Sequence, residues 1–168
     1  MPRLRLLRPD HAPALLAFER ENRAYFAASV PDRGDDYFAH FADRHEALLA
    51  EQSAGLCFFH LLMDGDEVLG RFNLVDVADG SADLGYRVAE RAAGRGLATA
   101  AVREACALAA GEYGLTGLRA ATTLDNTASR AVLTRTGFTR CGEIELSGRP
   151  GLRFERRLDA EGEGRRLP

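Results

Sequence analysis

Apolar positions recur with two different periods along the chain. Leu15, Phe18, Asn22 and Phe26 follow helical spacing, and so do Phe38, Phe41, His45 and Leu48 or Leu49. The first set predicts a helix that Asp10 can cap, with Pro13 tolerated in its first turn. The second predicts a helix over residues 35–53, after a loop holding Pro31 and Gly34. From Gly55 the pattern changes to that of strands. LCFFHLLM is a near-continuous apolar run, as in a buried strand, and Asp64-Gly65 turns it into EVLGRFNLVDV. Asp79-Gly80 marks a second turn, into ADLGYRV. The short run RLRLLR at residues 3–8 predicts one strand before all of these.

Helical spacing returns after Gly96 and runs to about Tyr113, with Leu97, Ala101, Ala105 and Leu108 on a narrow apolar stripe. LRAATTL predicts a further strand. Asp125 or Asn126 caps another helix that ends at Gly137. Two last strands, about 138–146 and 151–158, join around Ser147-Gly148. Antiparallel hairpins followed by a strand–helix–strand unit predict a mixed α/β sheet with helices on its faces. Residues 1–158 form a single domain in this reading. The ending DAEGEGRRLP, residues 159–168, has no apolar pattern and is expected to be a mobile tail.

Composition narrows the picture. Apolar residues are 46% and charged residues 28% of 168, the balance of a globular chain. A formal charge of −3 argues against a protein held by nucleic-acid backbone or anionic lipid. Arg3, Arg5 and Arg8 interleave with leucines instead of preceding an apolar run, so a cytoplasmic protein is expected. Cys57, Cys106 and Cys141 are far apart and odd in number, with no metal spacing and no disulfide framework. All 22 basic residues are arginine, which excludes any lysine-based chemistry.

The informative segment is LGYRVAERAAGRGLA, Leu84 to Ala98. A strand ends near Val88 and a helix begins near Gly96. Arg91, Gly94 and Gly96 lie between them, with Arg95 at the rim. A helix N-terminus has N–H groups without partners and positive dipole character, and glycines let backbone approach a phosphate closely. The segment is therefore a candidate pyrophosphate cradle. A Rossmann loop would need a glycine where Thr99 stands, and a Walker loop would need a lysine. Thirty residues on comes DNTASRAVLTRTGF, with Asn126, Ser129 and Gly137-Phe138 as its skeleton.

Together, R91-x-x-G94-x-G96 and N126-x-x-S129…G137-F138 resemble the GNAT superfamily of acetyl-CoA-dependent N-acetyltransferases. LGYRV, N-x-x-S and ENRAYF (Glu21 to Phe26) look most like its ribosomal-protein N-terminal alanine/serine branch. The resemblance covers about residues 3 to 158. It implies a mostly antiparallel sheet of about seven strands with helices on both faces. It implies that Arg91, Ala92, Ala93, Gly94, Arg95 and Gly96, with Leu97 and Ala98 opening the helix, hold the coenzyme A pyrophosphate. Tyr86, Arg87 and Val88 would pair their backbone with the pantetheine arm, on a strand that splays from the next. Asn126 would contact the same arm, with Ser129 near the thiol or the 3′ side of the cofactor. Many GNAT enzymes carry a tyrosine acid where this chain has Leu133, so Ser129 or an ordered water must serve. Asp83 stands near the position of a family base, with Glu21, Glu143 and Glu145 as competitors. The two N-terminal helices would wall the acceptor slot, with Phe26, Arg33, Tyr37 and Phe72 as lining candidates. No metal is implied. His60 and Cys106 read as core residues.

The expected activity is acetyl transfer to a primary amine, such as a protein N-terminus. A small-molecule amine acetyltransferase and a non-catalytic coenzyme A-binding module are the alternatives, and monomer and homodimer are both compatible. An α-amine has pKa ~7.7–8.0 against ~10.4 for lysine, so roughly a third of N-termini but only about a thousandth of lysines are neutral near pH 7.5.

Overall fold

The computed structural model describes residues 1–159; the tail expected over 159–168 otherwise lies outside the described residues. Seven strands form one mixed sheet: β1 (Arg3–Leu6), β2 (Phe58–Asp64), β3 (Glu67–Ala78), β4 (Ser81–Val88), β5 (Gly117–Thr123), β6 (Thr139–Leu146) and β7 (Arg149–Arg157). Their spatial order is β1-β2-β3-β4-β5-β7-β6. Every pairing is antiparallel except β4 with β5. The seven-stranded, mostly antiparallel sheet matches the sequence expectation. Two hairpins turn on paired positive-φ residues, Asp79-Gly80 and Ser147-Gly148, which suit the right-handed twist of the flanking strands.

Helices cover both faces. On one lie α1 (Ala12–Glu21), α2 (Arg23–Ala27), α3 (Asp35–Ala39) and α4 (Phe41–Ser53); on the other lie α5 (Leu97–Gly111) and α6 (Thr127–Arg135). The side-chain alternation of the strands assigns these faces. Arg71 of β3 reaches Glu19 of α1 and Tyr37 of α3. Tyr86 of β4 reaches Ser129 of α6. α5 buries Ala101, Val102, Ala105, Cys106, Ala109 and Ala110, with Leu97 and Leu108 only partly covered, so its stripe is wider than the spacing suggested. Among the described residues no helix is long and apolar enough to cross a membrane.

The first two helices are each broken in two. Asn22 leaves helical geometry at φ −103°, ψ 7°. Its Nδ2 donates to the Phe18 carbonyl, 2.9 Å, and its Oδ1 accepts from the Glu90 N–H, 3.0 Å. This side-chain bonding competes with the helix ladder and ties α1 to the loop ahead of α5. The stretch 35–53 breaks at His40, where φ is −111° and ψ 28°. Asp10 caps nothing: its carboxylate is held by Arg8 at 2.7 Å, and His11 precedes α1.

His60 is a satisfied core residue, bonded to the Phe72 carbonyl at 3.0 Å and to Tyr113 Oη at 2.6 Å. Cys106 is fully buried.

Candidate active site

The parallel strands β4 and β5 pair over three residues only, Ser81–Asp83 against Gly117–Arg119. Beyond Asp83 they diverge. The gap opens into a slot of about 460 Å³. Leu84, Gly85 and Tyr86 form one side and Ala120 to Thr123 the other. Asn126, Ser129 and Leu133 of α6 line it too. The segment from Ala27 to Pro31 closes one end, together with Leu146, Ser147 and Arg149. Arg149 holds that end together: it pairs with Asp125 and donates to the Ser29 carbonyl at 3.1 Å.

Tyr86 and Ser129 meet in the slot wall. Tyr86 Oη lies 2.9 Å from Ser129 Oγ, and its ring stacks on Phe72 at 5.5 Å. Asn126 caps α6, its Oδ1 accepting from the Ser129 N–H at 3.1 Å. The cap fixes the first turn and thereby the Ser129 side chain. Burial pushes the Tyr86 phenol above its usual pKa, with the Ser129 bond opposing, so the phenol is protonated at neutral pH. Leu133 stands one helical turn after Ser129 on the same face and is buried. A tyrosine hydroxyl does reach this part of the slot, from Tyr86 on β4.

The loop from β4 to α5 continues from the slot. After Val88 the chain makes a single 3-10 turn, Glu90–Ala92, with Ala92 buried and Arg91 bonded to Glu67 at 3.1 Å. Ala93 is extended. Gly94 and Gly96 both have φ +73°, which an L side chain adopts only under strain, and a Cβ at either would meet open space. Arg95 is exposed beside them. Leu97 and Ala98 then open α5 and leave its first N–H groups without partners inside the helix. Exposed backbone donors, two left-handed glycines and unfilled space suit the approach of a pyrophosphate.

Several expected residues lie elsewhere. Asp83 does not reach the slot: it stands on the sheet face opposite Tyr86, and Arg119 donates to its carboxylate at 2.7 Å. Of the expected wall residues, Phe72 is fully buried under Tyr86, and Tyr37 bonds Arg71. Phe26 and Arg33 line a separate small crevice that shares Ala27 and Pro31 with the slot. Sequence patterns alone do not reveal Arg149 or the 27–31 wall, whose roles depend on contacts between distant segments and leave no local spacing to read.

A slot between diverging parallel strands, followed along the chain by a glycine-flanked helix start, can accommodate a long phosphate-bearing ligand. The chain belongs to the GNAT acetyltransferase family: the family model of the acetyltransferase (GNAT) domain matches residues 3–139. Several solved structures share the fold. A ribosomal-protein-S5-alanine acetyltransferase from Vibrio fischeri is 19% identical, with a TM-score of 0.88, over 94% of this chain and 93% of its own. RimL, a ribosomal L7/L12 alpha-N-protein acetyltransferase in complex with coenzyme A, is 21% identical, with a TM-score of 0.83, over 94% of each chain. Mycobacterium smegmatis RimJ, in complex with a CoA-disulfide, is 24% identical, with a TM-score of 0.83, over 95% of this chain and 86% of its own. No curated protein matches the chain.

Proposed function

We propose that the protein transfers the acetyl group of acetyl-CoA directly to a primary amine, and that the amine is a protein N-terminus such as that of a ribosomal protein. The observation that carries this reading is the divergence of β4 from β5 into a slot where Tyr86 and Ser129 meet. The names of the similar structures, two of them in complex with coenzyme A or its disulfide, support the donor and the acceptor class.

Acetyl-CoA supplies an activated thioester when bound. Arg91 to Gly96 and the start of α5 would hold its pyrophosphate. Backbone of Tyr86 to Val88, unpaired on the β5 side, and Asn126 would receive the pantetheine arm. A free backbone N–H on this edge of β4 would stabilise charge growing on the carbonyl oxygen. As the C–N bond forms and the C–S bond breaks, the Ser129 hydroxyl gives its proton to the departing sulfur. Tyr86 replaces that proton from its phenol and is itself reprotonated from solvent, which takes up the amine's proton, so that the net products are the amide and the free thiol. The residues lining the slot are neutral apart from Arg149, so Asp83 is not assigned the base and the amine's proton leaves to water. An α-amine tolerates this, because a large fraction is already neutral near pH 7.5.

Thermal unfolding with acetyl-CoA, NADH and ATP tests the donor. Acetyl-CoA at about 100 times its dissociation constant should stabilise by about 2.7 kcal/mol, and NADH and ATP should not. Turnover of a panel of N-terminal peptides and small amines then tests the acceptor. Ser129→Ala should lower kcat about 100-fold with little change in acetyl-CoA affinity. Tyr86→Phe, acting through Ser129, should lower kcat by less and change its pH profile. No shift with millimolar acetyl-CoA would overturn the reading.

A further inference from the structure

An unbalanced group of arginines lies on the sheet face opposite Ser129, next to the slot. Arg71 of β3 and Arg87 of β4 are directly opposed in the antiparallel ladder. Like charges in that position repel. Arg33, from the loop after α2, joins them. One carboxylate, Glu19, serves all three, at 2.8 Å from Arg71, 3.1 Å from Arg33 and 3.5 Å from Arg87. Asp32 is nearby, but Arg23 holds it at 2.8 Å.

The group has capacity left over. Arg71 Nε, a donor, is buried without a hydrogen-bond partner. The Arg33 and Arg87 side chains remain 29% and 24% exposed. Both line the crevice that shares Ala27 and Pro31 with the slot. Their planes are fixed by aromatic rings, Arg33 over Tyr37 at 4.7 Å and Arg87 over Phe26 at 4.7 Å. Burial and the neighbouring Arg33 both push the Arg87 guanidinium below its ordinary pKa, so a further anion beside it would relieve the repulsion. Along β4, Arg87 is two residues from Gly85 in the slot wall, about 7 Å.

We propose that Arg33 and Arg87, backed by Arg71 and Glu19, form an acceptor-specificity element beside the slot and take a carboxylate that the acceptor carries close to its reacting amine. The favoured acceptor is therefore an acidic one, such as a peptide N-terminus with Asp or Glu among its first residues. The proposal rests on the transferase reading above. Preorganised guanidinium forks recognise a carboxylate through charge-assisted, bidentate hydrogen bonds, and an isosteric amide forfeits the charge.

The test is kcat/KM with saturating acetyl-CoA on three peptides, Ala-Asp-, Ala-Asn- and Ala-Lys-, identical after the second residue. Free aspartate and glutamate serve as small acidic acceptors. The native protein should favour the Asp over the Asn peptide at least tenfold, with the Lys peptide last. In Arg33→Gln and Arg87→Gln the Asp/Asn ratio should fall toward one. Faster acetylation of the free acids would support the same carboxylate recognition with a smaller acceptor. A native ratio of one or less would overturn the proposal, as would a high ratio unchanged in both folded variants. If no amine is acetylated, the transferase reading falls by itself, and product binding still decides this one. With coenzyme A present, the N-acetylated Asp peptide should raise Tm more than its Asn counterpart, and equal shifts would overturn the proposal.

Discussion

Glu19 shows how much one side chain can hold in place. It is 1% exposed and faces three guanidinium groups. Burial pushes its carboxyl pKa up, but Arg33, Arg71 and Arg87 together outweigh this and leave it below its usual value. Glu19→Gln keeps the shape and removes the one carboxylate that, among the described residues, pairs with both Arg71 and Arg87. The variant should lose about 3–5 kcal/mol, read from the urea midpoint. The sign with pH follows. A depressed carboxyl contributes its stability above the unfolded value, about 4.3, and loses it as pH falls through the folded value. Native stability should therefore decline on the acid side, and the Gln variant should lack that component. A variant within about 1 kcal/mol of native, with the same acid limb, would mean the arginines are solvated independently of Glu19. None of this was legible in the sequence, because Glu19, Arg33, Arg71 and Arg87 span 19 to 87 and meet only through β3–β4 register and the return of α1 over the sheet.

Helix boundaries divide the legible from the illegible in the same way. The start of α5 could be read from the sequence because its determinants are local: two glycines, a preceding strand and an alanine-rich run. The breaks at Asn22 and His40 could not. The bond from Glu90 that helps hold Asn22 out of the helix comes from 68 positions away. The local determinants also yield a prediction at the level of the loop. Gly96 is the N-cap of α5 at φ +73°, ψ 5°, and a Cβ added there would have nothing within 4 Å. Gly96→Ala therefore meets no clash, only left-handed strain, and should lower stability by about 1 kcal/mol. It should also weaken coenzyme A binding beyond that loss, because a methyl group would occupy space that the cradle leaves for phosphate. Isothermal titration of the folded variant separates the two effects. Unchanged affinity would place the pyrophosphate away from this loop.

The molecule as a whole is two antiparallel units, β1–β4 and β5-β7-β6, joined by one short parallel seam. The hairpin pairings β2-β3-β4 and β6-β7 were readable from their turn residues, but the insertion of β7 between β5 and β6 was not. The short seam was expected only through the family resemblance, which implies the splay, because LGYRV and AATT by themselves have the composition of fully paired strands. Yet the seam decides where the slot lies: the strands part after Asp83, and the slot occupies the space where their ladder would have continued. A coenzyme arm lying there would replace the missing strand for the free edge of β4. Amide hydrogen exchange tests this, read at short labelling times where local opening and not global unfolding sets the rate. Coenzyme A should slow exchange in residues 84–88 and 94–99 and leave β1 and β2 unchanged. Protection spread evenly over the sheet would indicate stabilisation from a site elsewhere. Protection of 94–99 without 84–88 would mean that the phosphates dock while the arm stays out of the seam, and transfer beside Tyr86 and Ser129 could not then occur.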